Sequence, residues 1–416
     1  MSGPNLNIIN AAAIAQITDH GRARSGAQQG EMNIVRDGAI AIREGKIAAV
    51  GSTADMQTWL EQSVPQVDAR GKTVVPGLVE CHSHPLFVGY RHGEFVRKIR
   101  GETSDQIKAA GGGIWASVLR CREAPDEALV ANAVRAYGQI LTSGVTTLEV
   151  KSGYGLTVEQ ELRMLRLLRE SAAGTPIDLI YSFLGAHIVP SEAESAQAYA
   201  DLVRTVMLPA VAEQGIAEFQ DVVCEANVFP AEMARPLMMA SADYTMRTRV
   251  HADASLVSQG WRTAVETGAI SADHVTYTPV EEIVAVGATA TIAVLLPLAE
   301  QVYMDPQRAN ARQFITTSVP IAIATDYCSS IHATSLLTAV QFAASWYRIT
   351  PGEALVGATL NAAYSLNRQH DRGSIDVGKL ADLLVLDCPH PDELGVAIGA
   401  PLVDTVIKCG QIVHQA

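Results

Sequence analysis

The amino-acid sequence predicts an α/β protein: a (β/α)8 TIM barrel over residues 71–368, with a small β-sandwich domain formed from both ends of the chain, 1–70 and 369–416. Three observations lead there. Eight apolar runs between residues 73 and 326 alternate with helical patterns, as in a parallel sheet wrapped by helices. The two ends carry a different, hairpin-like alternation. Finally, His82, His84, His187, His251 and His274 all fall at or just after the ends of these runs, and Asp326 closes the eighth.

Taken in order, the first zone holds short alternating stretches such as "GAIAIREGKIAAVG", in which Gly45 separates two β-rich segments and predicts an antiparallel hairpin. The apolar runs follow: "TVVPGLVE", "GVTTLEV", "IDLIYSFLGA", "FQDVVCEA", "MRTRVHA", "GAISADHV", "ATIAVLLP" and "VPIAIATD". Between them lie segments like "EQELRMLRLLRE", whose Leu162, Leu165 and Leu168 share one helical face. The tail, from "DRGSIDVGKLADLLVLDCPHP" to "PLVDTVIKCGQIVHQA", returns to hairpin alternation. Two like segments flanking a barrel most simply pair with each other.

Composition narrows the function. The 416 residues, 48% hydrophobic and 18% charged, describe an ordinary globular enzyme. A formal net charge of -13 argues against nucleic acid and anionic membranes, which reward positive surface. An anionic substrate then needs local cations. The six cysteines form no CxxC pair and no disulfide framework, which fits a reducing cytoplasm. No signal-peptide pattern opens the chain and no apolar run is long enough to span a bilayer, so a cytoplasmic location is expected.

The histidines carry the chemistry. Strand ends of such a barrel converge on one face, where active sites are built. Strand alternation sends His82 and His84 to one side and Ser83 to the other. An HxH alone is weak evidence, and any single histidine is more often a hydrogen-bonded core or loop residue. Five at strand ends, with a terminal aspartate, are hard to obtain from packing needs. His82, His84, His251 and Asp326 together have the donor chemistry of a catalytic zinc or iron site. Arg91, just past the HxH, is placed to pair with a carboxylate. The three glycines of "AGGGI" lack the strand and helix setting of a phosphate loop. Cys328 has no paired base and reads as a small buried hydrophobe; Cys81 is expected to point into barrel packing.

The chain resembles the amidohydrolase superfamily and, within it, the imidazolonepropionase family. The resemblance rests on "GLVECHSHPLF", "AGGGIWASVLRCREA", "SGVTTLEVKSGYGL", "FLGAHIVP", "GAISADHV", "AVLLP" and "DRGSIDVGKLADLLVLD". It implies one divalent metal ion, zinc with iron as the alternative, held by His82, His84, His251 and Asp326. It further implies that His274 polarises or orients at the site, that Arg91 and Tyr154 contact substrate, and that His187 lines the pocket. A homodimer is expected on the same ground. Hydrolysis of a ring amide fits this set: Asp326 takes a proton from water, and His274 stabilises the oxyanion.

Three substrate-facing marks depart from the family. Ala254 stands where an acidic or amide side chain is usual, Ser104 where tyrosine is usual, and Tyr327, Cys328 and Ser329 replace an Asn-Pro-Gly turn that contacts substrate. Ser329 is therefore expected to touch the ligand. The expected function is metal-dependent hydrolysis of a small five-membered cyclic amide with a carboxylate arm, by an imidazolonepropionase or a near relative with an altered substrate. The alternative is displacement of ammonia or hydrosulfide from a related ring, such as a thiohydantoin propionate, where a hydrosulfide leaves without a proton and Ala254 is tolerable. A barrel kept only as a binding subunit would have lost its ligands, which are intact.

Overall fold

A computed structural model describes residues 3–304 and 306–416. Eight strands form one parallel sheet in chain order: β1 (Leu78–Glu80), β2 (Val145–Lys151), β3 (Asp178–Ala186), β4 (Phe219–Cys224), β5 (Arg247–Ala252), β6 (Ser271–His274), β7 (Ile292–Leu295) and β8 (Ile321–Ile323). The ring closes just beyond the ends of β1 and β8. There Ser83 makes a parallel bridge to Tyr327, and the His84 N–H donates to the Tyr327 carbonyl at 2.7 Å. The peptides that complete the barrel are thus those of the His-Ser-His segment. Every predicted run contains a barrel strand, but the first divides. Thr73–Pro76 joins the terminal sheet, and only Leu78–Glu80 enters the barrel.

Gly77 makes that division. Its N–H donates to the Asp382 carbonyl of the terminal sheet at 2.8 Å, and the next residue, Leu78, donates to Gly144 at 3.0 Å. A Cβ at residue 77 would lie 2.3 Å from Thr146 Oγ1, so the absence of a side chain lets the chain cross between the two bodies.

The terminal sheet joins both ends of the chain. Gln411–Gln415, Val403–Lys408 and Leu383–Leu386 lie on one side of Thr73–Pro76; Leu6–Ala15, Ile34–Arg43 and Lys46–Ser52 lie on the other. The predicted hairpin turns at Glu44 and Gly45, both at positive φ (52° and 76°). That is the backbone of a two-residue turn matched to strand twist.

Outside the barrel, the helix Val158–Ser171 starts at Thr157, whose side chain accepts from the Gln160 N–H. Its buried stripe is Glu161, Met164, Leu165 and Leu168, at the three- and four-residue spacing of one helical face. Leu162, expected on this stripe, is only half-buried at its edge. The barrel interior is layered. Ile180, Phe219, Ile292 and Ala322, from the first half of their strands, form a buried apolar plug. Charged side chains lie further along the strands, and the histidines sit at the strand ends.

Gly77→Ala should destabilise the protein by about 1–3 kcal/mol, the usual cost of overpacking. Removing the Thr146 Oγ1 and Cγ2 atoms in a Gly77→Ala/Thr146→Ala double variant should recover part of the loss. Urea unfolding midpoints of the two variants check this.

Candidate metal centre

The strand ends bring His82, His84, His251, His274 and Asp326 together. His82 Nε2 lies 3.4 Å from His84 Nε2; Asp326 Oδ1 is 3.6 Å from the former and 3.7 Å from the latter. His82, His84 and Asp326 form one group of closely spaced ligand atoms, and His82, His251 and His274 form another. Donors about 2.0–2.2 Å from a tetrahedral ion lie roughly 3.3–3.6 Å apart, so the first group, at 3.4–3.7 Å, is within about 0.1 Å of that spacing. His274 approaches His82 and His251 as closely as a ligand would, with ring centroids at 5.4 and 5.3 Å. His274 and Asp326 both have positive φ, 77° and 56°. Such strain in non-glycine residues persists only where surrounding structure enforces it.

Two of the imidazoles are oriented from behind. His82 Nδ1 donates to Asp273 Oδ2 at 2.7 Å, and His251 Nδ1 to Asp221 Oδ1 at 3.0 Å. This fixes the tautomer that leaves each Nε2 lone pair facing the centre, as in carboxylate-histidine-metal arrangements. The two carboxylates are in turn held by cations: Lys151 Nζ lies 2.7 Å from Asp221 Oδ2 and 2.6 Å from Glu149 Oε1, and Arg249 Nη2 is 2.9 Å from Asp273 Oδ2. All five of these charged residues are fully buried.

Sequence reasoning passed over this layer. Its signal was present as charges in otherwise apolar runs, Lys151 after "LEV", Asp221 in "FQDVVC" and Asp273 in "SADH". Arg249, two residues before His251 on one strand, lies at the alternating position that puts both side chains on the same side.

Burial dominates the titration of the centre. It pushes the Asp326 carboxyl up to about 7 and holds His82, His84 and His274 well below the ordinary imidazole range, with neighbouring positive groups adding to the effect. Burial opposes the charge on His251 too, but the ion pair with Asp221 outweighs it and raises that residue. His82, His84 and His274 are thus held as neutral rings, and imidazole nitrogens with one carboxyl oxygen make a donor set that suits a divalent transition metal.

Beside the histidines a second wall of side chains gathers Arg91, Tyr154, His187 and Ser329. Ser329 is buried; its Oγ lies 2.8 Å from Ser117 Oγ and 3.4 Å from the Tyr154 hydroxyl, and its carbonyl accepts from the Arg91 N–H at 2.8 Å. His187 donates from Nδ1 to the Gly153 carbonyl at 2.8 Å and stacks on His84 with ring centroids 5.4 Å apart. Burial drives its pKa down to about 3, so it faces the pocket as a neutral ring. The Tyr154 loop is held rather than flexible: the buried Glu161 carboxylate accepts from the backbone N–H groups of Gly153, Gly155 and Leu156. Cys81 is buried among Ile180, Phe219 and Ile292. Cys328 is buried with its thiol pushed up to about 11 by burial, which disfavours the nucleophilic thiolate.

At Ala254, where no acid is present, the backbone N–H is bound by Glu225, a buried residue that sequence reading did not single out. The other Glu225 oxygen accepts from Ser255 at 3.1 Å and Ser258 at 3.3 Å. This carboxylate is committed to holding the loop.

A parallel barrel with a histidine and aspartate cluster at its strand ends defines a metal-dependent hydrolase architecture, and comparisons with known proteins agree. A profile of the "Amidohydrolase family" matches residues 73–413; the chain belongs to the amidohydrolase family. It is 38% identical to the imidazolonepropionase of Geobacillus sp. (strain WCH70) over 93% of this chain and 92% of that protein. It is 36% identical to that of Solibacter usitatus (strain Ellin6076) over 98% of each. Among solved structures, an adenosine deaminase from Xanthomonas campestris with bound zinc superposes with a TM-score of 0.73 at 19% identity, covering 99% of this chain and 93% of that one. The ochratoxinase of A. niger superposes with a TM-score of 0.71 at 18% identity, covering 100% and 97%. These structures share the fold. Among the described residues no helix is long and apolar enough to cross a membrane.

Lys151→Met should leave Glu149 and Asp221 facing one another without their shared cation. Breaking a buried pair from one side costs about 3–5 kcal/mol, and that loss should appear in urea unfolding monitored by circular dichroism.

Proposed function

We propose that this chain hydrolyses a small five-membered cyclic amide bearing a carboxylate arm, with one divalent metal, zinc in preference to iron, held by His82, His84, His251 and Asp326. What supports the reading is the nearness of Tyr154 and His187 to the ligand His84, with ring centroids 6.1 and 5.4 Å away, and of Ser329 and Arg91 to Tyr154. The donors suit such an ion because His82 and His251 are each held by a carboxylate that leaves Nε2 free. When bound, the metal supplies Lewis acidity that makes water nucleophilic near neutral pH. Asp326 accepts the proton of the attacking water. His274, reaching the same point, donates to or orients the carbonyl oxygen of the scissile amide. The Arg91 guanidinium takes the carboxylate arm, and the neutral His187 and the Tyr154 phenol flank the ring.

Ala254 favours a second reading. A departing ring nitrogen needs a proton, and a positioned acid typically contributes 10²–10⁴-fold. Residue 254 has none to give, and the adjacent Glu225 already accepts from Ala254, Ser255 and Ser258. A thiohydantoin propionate, losing hydrosulfide without protonation, asks for no acid there. Assays of imidazolone and thiohydantoin propionates, following ring absorbance together with released ammonia and sulfide, decide between the two. Ala254→Glu should raise kcat/KM for imidazolone propionate and leave that for the thio compound unchanged or lower. Efficient wild-type opening of the imidazolone with no sulfide from the thio compound would sink the second reading.

Single changes of His82, His84, His251 or Asp326 to alanine should remove most of the metal and nearly all turnover, measured by elemental analysis and the same assays. A metal-free, fully active His251→Ala protein refutes the ligand set.

Metal uptake should also depend on pH. In the metal-free protein Asp326 is raised to about 7 and His251 is raised as well, so below about pH 7 binding must displace at least one proton. Affinity should then fall about tenfold for each unit of acidification and level off above the highest ligand pKa. Chelator competition between pH 5 and 9 measures it, and a flat profile would contradict the assignment of Asp326.

A further inference from the structure

The three glycines of "AGGGI" make no phosphate loop, yet the structure gives them a specific neighbour. Gly111 and Gly113 both have positive φ, 81° and 76°, in a turn between the helices Ser104–Ala109 and Ile114–Glu123. The Gly113 N–H donates to Glu94 Oε1 at 2.8 Å. A Cβ on Gly112 would lie 3.0 Å from that same oxygen and 2.7 Å from Ile107 Cγ2, so only glycine lets the turn approach so closely.

The second oxygen of Glu94 accepts from Arg91 Nη1 at 3.3 Å. Arg91 is almost fully buried, and its Nε has no hydrogen-bond partner. Its guanidinium interacts electrostatically with Tyr154, Tyr303 and Cys328, and with Asp326 in the centre. Glu94 thus engages one corner of the guanidinium fork and leaves the Nε edge open. A carboxylate paired side-on needs two parallel N–H donors along one edge. The helix that carries Glu94, His92–Ile99, buries none of its residues, so the Glu94 carboxylate is placed by its hydrogen bonds to Gly113 and Arg91.

We propose that Glu94 is a positioning residue that seats on the Gly111–Gly113 turn and aims the Nε edge of Arg91 at the carboxylate arm of the substrate. The inference rests on the reading of Arg91 given under Proposed function. It assigns the glycine turn a role in substrate selectivity: it is the fixed seat from which the aim of Arg91 is set.

The test uses the metal-loaded protein and two ligands with an unreactive ring, hydantoin propionate and its propionamide, with dissociation constants from calorimetry. Arg91→Met should weaken the acid roughly ten- to hundredfold, as for a lost hydrogen bond to a charged group. Glu94→Gln should weaken it roughly five- to tenfold, a coupling of the size expected between touching residues. Glu94→Asp, one methylene too short to reach both partners, should do the same. The propionamide should bind all variants about equally. In the Arg91→Met background, Glu94→Gln should add nothing.

Equal weakening of acid and amide by both Glu94 variants, a loss that persists without Arg91, or tighter acid binding from relief of negative charge would each overturn the positioning role. If Arg91→Met itself leaves the acid unaffected, or the wild type does not bind it, the carboxylate reading of Arg91 fails and the inference falls with it.

Discussion

Lys151 is the constraint on which the centre depends. A fully buried ammonium is tolerable only with partners, and this one has Glu149 and Asp221 within 2.7 Å. Asp221 then holds His251, while Asp273, shared with Arg249, holds His82. Five charges that would each be prohibitive alone are stable as a set, and their geometry is transmitted to two rings at the strand ends. The set stands on the apolar plug of Ile180, Phe219, Ile292 and Ala322, which excludes water from below. The interior therefore passes from apolar, to charged and compensated, to the imidazoles at the strand ends.

Much of this was legible in the sequence, because barrels announce themselves by period. Each apolar run contained a strand, and the residues at the run ends met on one face. What was not legible depended on partners distant in the chain. Glu225 lies 29 residues from Ala254, and only folding reveals that its carboxylate is spent on that loop. Gly153 and Gly155 around Tyr154 suggest a loose loop, and only the fold shows that Glu161, on the next helix, ties it down through three backbone N–H groups. "TVVPGLVE" read as one strand since nothing in its composition says that Gly77 must slip past Thr146. The charged layer was present in the sequence but passed over, since a single charge in a strand has many ordinary explanations.

The two walls of the pocket differ in how they are built. The histidine wall rests on strands and on ion pairs, so its geometry is shared with the barrel itself. The Arg91 wall rests on a short helix, a glycine turn and the segment Tyr327–Cys328–Ser329, held by neutral hydrogen bonds such as Ser117 to Ser329. Two departures from the family marks fall in the second wall and at Ala254, away from the buried ions; the third, Ser104, is exposed at the start of the helix Ser104–Ala109. On the proposed reading, a change in the wall alters which ring or arm is accepted while the hydrolytic centre is preserved.

The closure of the barrel by Ser83 and Tyr327 bears on how such a protein can change over time. Adding or deleting a residue between β1 and His84, or between β8 and Tyr327, would shift the register of that bridge and of His82, His84 and Asp326 together. Length variation is therefore forbidden at this seam. New specificity at this seam has to come by exchange of side chains at constant length, and the Tyr-Cys-Ser that follows Asp326 is such an exchange. Insertions cost least in exposed loops where neither barrel pairing nor a wall of the site is at stake, as at residues 191–194.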